Sequence, residues 1–160
     1  MQCALALVGV SLLLAACTNP GRRPAGPAAE ASDLDQLRAE PLLAQPPDST
    51  LVLRNERPAS HGLLGDSSAY VTTFWASPRP VSDAAAYYQR VYSARYGLRA
   101  EVNTPTNVVL SGFAPGQSAN VRIVITTDRP DSRLRDEQPA TPQAVPADTR
   151  SFSQVTISSP

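Results

Sequence analysis

Sixteen prolines in 160 residues set the terms for what this chain can become. A proline cannot donate a helical or ladder hydrogen bond, so each one ends an element, opens one, or sits in a turn. Pro46-Pro47 breaks the chain before Ser49–Asn55, STLVLRN, which reads as a first strand. The loop Ser60–Asp66 carries two glycines and turns the chain back into Ser67–Ala76, a second strand rich in aromatic and β-branched residues. Tyr70, Thr72 and Phe74 share one face of that strand, and Val71, Thr73 and Trp75 the other. Each face carries an aromatic residue, so alternation alone does not say which one is inside.

Pro78 and Pro80 stop the second strand, and the clearest helix is expected over 82–96. Ser82 is a natural N-cap, Asp83 complements the helix dipole, Ala84-Ala85-Ala86 propagate well, and Gly97 suits a left-handed terminal residue. Ala84, Tyr88, Val91 and Tyr92 form one stripe, with Tyr87, Val91 and Ala94 beside it, so the helix is amphipathic and must cover a sheet. Leu98–Asn103 alternates with Leu98, Ala100 and Val102 inward, and Asn107–Phe113 follows after a turn at Pro105. Ala114-Pro115-Gly116-Gln117 is a tight-turn signature, with glycine accepting positive φ. Val121–Thr126 is the most β-prone run, and Ser151–Ile157 closes the domain. The order strand, strand, helix, then four strands predicts an α+β domain. Its antiparallel sheet has about six strands, with one main helix on one face.

Ahead of this domain, Ser32–Arg38 looks like a short helix whose Leu34 and Leu37 pack on the domain edge with Leu42 and Leu43. Residues 129–149 carry Pro130, Pro139, Pro142 and Pro146 and read as a long excursion with little to bury. The single domain is therefore expected over 32–160.

The first sixteen residues, MQCALALVGVSLLLAA, are apolar except for Gln2 and Ser11. That run is too short to span a bilayer, which takes about 20 apolar residues, and has the length of the apolar part of a secretory signal. It ends in Leu14-Ala15-Ala16-Cys17, after which composition switches to TNPGRRPAGPAAEA over 18–31. Here the chain resembles a bacterial lipoprotein precursor, the quartet matching the lipobox. The resemblance implies cleavage between Ala16 and Cys17, a diacylglycerol thioether on the Cys17 sulfur, and acylation of the new amino terminus. Two acyl chains suffice for stable anchoring where one binds only marginally. The usual cationic start is missing, since Met1 and Gln2 carry no side-chain charge; either the terminal amine supplies it or the true start lies upstream. The bland alternative is an ordinary signal peptide with Cys17 incidental. Residues 17–31 then read as the lipidated cysteine and a solvated tether, with Arg22-Arg23 too few to hold a membrane alone. Thr18 stands where the simplest inner-membrane retention signal has aspartate. The expected location is the outer side of the cytoplasmic membrane, or the outer membrane of a host that has one.

Composition narrows the chemistry. All 14 basic residues are arginine and balance 14 acids. A neutral chain argues against a dedicated nucleic-acid partner, and Arg without Lys points to a high-GC bacterial genome. Cys3 and Cys17 are the only cysteines and His61 the only histidine, so neither a disulfide framework nor a metal site has its ligands. No cofactor motif is present.

His61 lies near Asp66, Ser67 and Ser68, but sequence nearness is not triad geometry, and a solvated turn histidine is the better reading; a hydrolase using His61 is the remote alternative. Asp128, Asp131, Asp136 and Glu137 cluster with Arg129, Arg133 and Arg135, and mixed signs read as solvated self-pairing. The aromatic set Trp75, Tyr87, Tyr88, Tyr92 and Tyr96 has some functional pull: Tyr87 and Tyr88 differ by about 100° around the helix axis, so at least one is expected at the rim of a binding surface. The competing reading is that the tyrosines fill a small core. The expectation is a non-enzymatic, lipid-anchored envelope protein acting on an unidentified envelope partner. A carrier of an apolar or carbohydrate ligand held between helix and sheet is the alternative.

Overall fold

The computed structural model describes residues 27–62, 65–129 and 144–160. The expected signal segment, the lipobox, and most of the Pro-rich excursion lie outside them. Helix α1 spans Pro27–Arg38, five residues earlier than the expected start at Ser32. Pro27 suits a first helical position, where no amide donor is needed, and Ala28, Ala29 and Ala31 propagate well. The stretch assigned to the tether therefore loses its last residues to the helix. Leu34 and Leu37 are buried with Leu42 and Leu43, as the spacing predicts.

Six strands make the main sheet: β1 Thr50–Arg57, β4 Tyr70–Ser77, β5 Arg99–Asn103, β6 Asn107–Phe113, β7 Asn120–Thr126 and β8 Ser151–Ser158. The loop expected at 60–66 contains a small two-stranded ribbon, β2 Ser60–Gly62 with β3 Gly65–Ser67. The large sheet runs in the order β1-β4-β8-β7-β6-β5, and every pairing is antiparallel. The last strand thus enters the middle of the sheet, where Val155 and Ile157 are fully buried.

Helix α2 spans Val81–Tyr96 and lies over β6, β7 and β8, while α1 covers β4. Pro80 holds the N-cap position and makes no side-chain cap. Ser82, expected there, sits inside the first turn with its hydroxyl on Asp83 at 3.3 Å. At the other end Gly97 takes φ 60°, and its amide donates to the Ser93 carbonyl at 2.8 Å. Gly116 likewise takes φ 73° in the β6–β7 turn. Both glycines do what the local pattern requires, since a side chain at positive φ costs roughly 1–2 kcal/mol.

The buried stripe of α2 is Val81, Ala84, Ala85, Tyr88, Tyr92 and Tyr96. Val91, expected within it, is 50% exposed. The contact line runs through positions 81, 85, 88, 92 and 96, and Val91 stands about 100° off Tyr92 toward solvent. On the sheet, Val71, Trp75, Leu110, Ile123, Ile125, Val155 and Ile157 face the helices in one cluster. The opposite face of β4 is buried as well, with Phe74 at 3% exposure. Both faces of the second strand are therefore interior, which is why its alternation was uninformative.

Strand β5 departs from its sequence pattern. Leu98 is buried, but Ala100 and Val102 are exposed, Val102 at 38%. The pairing with β6 slips between Ala100 and Val102, a bulge that moves Val102 to the face away from the helix. β5 is also the terminal strand, outside the three strands that α2 mainly contacts, and all five of its residues are exposed.

Candidate functional site

The aromatic set is largely interior. Trp75 is 5% exposed, Tyr88 1%, Tyr92 9% and Tyr96 2%. Of the five residues expected to form a surface only Tyr87 remains half-exposed. The reason is spacing: Tyr88, Tyr92 and Tyr96 recur every four residues, which keeps them on one helical face, and that face meets the sheet. Their rings follow one another in tilted contacts, Tyr88–Tyr92 at 6.2 Å and Tyr92–Tyr96 at 6.0 Å between centroids, with Tyr87 edge-on to Tyr88 at 5.4 Å.

Each polar tip has its own arrangement. The Tyr92 hydroxyl donates to the Pro41 carbonyl at 3.2 Å and the Tyr96 hydroxyl to the Glu40 carboxylate at 2.7 Å. The Trp75 indole donates to Thr73 Oγ1 at 3.0 Å. The Tyr88 hydroxyl lies beside Ser153 but makes no hydrogen bond of ordinary geometry. Around it Pro46, Pro47, Ser49, Ser77 and Tyr87 line a cavity of about 10 Å³, room for at most one water. That cavity is too small for a ligand of the size a carrier would transport, whereas Ser82, Ala85, Ala86 and Gln89 of α2 border a second, open space of about 400 Å³ with Asn103, Pro105 and Val108.

Burial pushes the Tyr88, Tyr92 and Tyr96 phenols up from their ordinary value, with the Glu40 carboxylate adding to the effect on Tyr96. A raised folded-state pKa means the fold holds the phenolic proton more tightly than the unfolded chain does. The resulting stability is complete below about pH 10, where a free phenol titrates, and is lost as pH climbs toward the folded-state values. Denaturation midpoints are expected to be flat with respect to these groups up to about pH 9 and to fall above pH 10. The phenolate absorbance of the three tyrosines should rise together with unfolding. Phenolate at pH 10 with the fold intact that disappears when Tyr88, Tyr92 or Tyr96 is replaced by Phe would contradict the burial described here.

An open cleft of about 830 Å³ lies at the opposite end of α2 from its proline-flanked start. Helix α2 contributes Arg95 and Tyr96, β5 contributes Arg99 and Glu101, β6 Ser111 to Phe113, and β7 Asn120 to Arg122. Arg95 bonds Glu40 at 3.4 Å and lies 5.5 Å from the centre of the Tyr96 ring. Gly112 floors the approach of the helix end: a Cβ there would stand 2.3 Å from the Tyr96 carbonyl oxygen. Phe113, at the cleft wall, is 52% exposed.

These residues were not singled out by sequence pattern. The available signal was weak: Arg99 and Arg122 are outward positions of their strands, and Phe113 precedes a Pro-Gly turn. Only the pairing β5–β6–β7 brings them together.

His61 sits on β2 opposite Asp66 on β3, and the Ser60 and Ser67 hydroxyls meet at 2.7 Å. Asp128 and Arg129 are exposed, while Asp131, Arg133, Arg135, Asp136 and Glu137 lie outside the described residues, as do Ala16 and Cys17. Among the described residues there is no cluster of three or more metal-ligating side chains, and no helix is long and apolar enough to cross a membrane. Comparison of the chain with family models, curated proteins and solved structures gives no match, so the reading of its function rests on its own residues.

Proposed function

We propose that this chain is a lipid-anchored envelope protein, exported across the cytoplasmic membrane and held on its outer side through acylated Cys17, whose α+β domain is a binding module. In a host with an outer membrane, that membrane is the alternative seat of the anchor. The observation that carries the anchor is the quartet Leu14-Ala15-Ala16-Cys17 at the end of an apolar run, followed at once by a proline- and glycine-rich stretch. A thiolate is the nucleophile that alkylation needs, and small residues before it let the extended backbone enter a peptidase groove.

The domain reads as non-enzymatic because the charged groups of its open cleft are mainly guanidiniums, Arg95, Arg99 and Arg122 against Glu101. Arginine binds and orients anions but stays protonated, so it does not serve as a general base. A partner among envelope proteins or an anionic envelope component fits such a cleft, and neither a metal nor a nucleic acid enters this reading.

Replacing Cys17 with serine removes the acyl acceptor. Most of the protein is then expected to move from the membrane fraction to the soluble fraction on cell lysis, and metabolic labelling with a fatty acid should be lost. Unchanged membrane retention of Cys17→Ser would overturn the anchor. Cross-linking in intact cells, with Cys17→Ser as control, identifies any protein neighbour that depends on anchoring.

A further inference from the structure

The cleft carries charge that the fold itself does not use. Arg99 of β5, Ser111 of β6 and Arg122 of β7 lie in one cross-strand row. Neighbouring strands are about 4.8 Å apart, so the two arginine backbones stand about 10 Å apart with the Ser111 hydroxyl between them. Both arginines are exposed. Among the described residues neither enters an ion pair, whereas Arg38, Arg54, Arg79 and Arg95 all do. Phe113 lies two residues beyond Ser111 on the same face, opposite Asn120, and is 52% exposed. The charged residues lining the cleft are Arg95, Arg99, Arg122 and a lone carboxylate, Glu101. Arg95 is already engaged by Glu40.

We propose that this cleft docks on an anionic phospholipid surface, with Arg99 and Arg122 on headgroup phosphates and Phe113 in the interfacial layer. This rests on the lipid-anchor reading. An aromatic ring flanked by guanidiniums is the composition that settles at headgroup level. The cleft is open, which suits a surface better than an enclosed solute.

The chain that leads from the anchor enters α1 at Pro27 and passes the cleft at the far end of that helix. Glu40, just after α1, holds both Tyr96 and Arg95 at the cleft wall. Asp33, Gln36 and Leu37 of α1 border Ser118 and Ala119 in the adjoining turn. Ten Cα steps from Cys17 to Pro27 span at most about 35 Å, and α1 adds about 20 Å from Pro27 to Glu40, so the cleft stays within about 55 Å of the bilayer.

Each arginine near an anionic surface is worth about 5-fold in equilibrium population, and the pair about 25-fold. That is too little to recruit a free protein. It is enough to orient one whose tether already supplies a high local concentration.

Cys17 is the only cysteine left once residues 1–16 are removed, so the mature chain can be coupled there to a maleimide lipid in vesicles. Phe113→Trp supplies the probe, and buried Trp75 acts as an internal reference. Acyl-brominated lipids are expected to quench the Phe113→Trp indole on phosphatidylglycerol vesicles and not on phosphatidylcholine vesicles. The added changes Arg99→Gln and Arg122→Gln should lower the docked-to-undocked ratio about 25-fold, and about 0.5 M salt should act the same way.

Equal quenching with and without the two arginines, equal quenching on both vesicle types, or none on phosphatidylglycerol would each overturn the docking. The coupling supplies the anchor chemically. Failure of docking therefore leaves acylation of Cys17 in cells untouched, and failure of acylation leaves this assay readable.

Discussion

Gly112→Ala is expected to destabilise the domain by about 3 kcal/mol or more, lowering the thermal midpoint by roughly 10 °C. The added Cβ would lie 2.3 Å from the Tyr96 carbonyl oxygen and 3.1 Å from Leu98 Cδ2. No rotamer change relieves the first contact, because both groups belong to backbone. Gly112 pairs with Val121 in the sheet, so the strand cannot retreat without breaking its ladder. The end of α2 would have to lift instead, taking Tyr96 and its bond to Glu40 with it. Gly97→Ala is the control: its Cβ would meet nothing within 4 Å, so only the left-handed backbone cost of about 1–2 kcal/mol applies. Equal melting temperatures for the two variants would mean that the helix end does not rest on β6.

Tyr88 gives the second large effect and separates ring from hydroxyl. Tyr88→Ala removes a ring at 1% exposure from the centre of the helix–sheet contact and is expected to cost about 3–5 kcal/mol. Tyr88→Phe removes only a buried hydroxyl that lies beside Ser153 without a hydrogen bond of ordinary geometry. It should be neutral within about 0.5 kcal/mol or stabilising, because an unsatisfied polar group is a liability in the interior. Tyr96→Phe provides the contrast, since it breaks a 2.7 Å hydrogen bond to the Glu40 carboxylate and is expected to cost about 1 kcal/mol or more. Denaturant titration of the three variants reads these differences directly. A Tyr88→Phe loss as large as that of Tyr96→Phe would place a structural water or an unrecognised partner on the Tyr88 hydroxyl.

The two variants of Tyr88 also bear on how the aromatic residues are to be read. In the sequence the four helical tyrosines suggest either a binding rim or a core, because composition assigns a tyrosine to both places equally well. The sheet decides. It lies under the 88, 92, 96 line and takes three rings inside, leaving Tyr87 half-exposed at the margin. The surface proposed to bind is accordingly not an aromatic groove but the arginine-lined cleft at the far end of the same helix.

Local order was legible wherever a single residue settles the backbone. The proline breaks, the left-handed Gly97 after α2, the Pro115-Gly116 turn and the strand–helix–strand sequence all follow from short-range sterics and hydrogen bonding, which act within a few residues. The α+β class with one main helix on an antiparallel sheet follows from that order.

What needed the tertiary structure was everything set by partners distant in the chain. The entry of β8 between β4 and β7, the burial of both faces of β4, the bulge that turns Val102 outward, and the row Arg99–Ser111–Arg122 depend on which strands pair and in what register. Pairing free energy comes from buried area and ladder bonds summed over long loops, and no short stretch of sequence carries that sum.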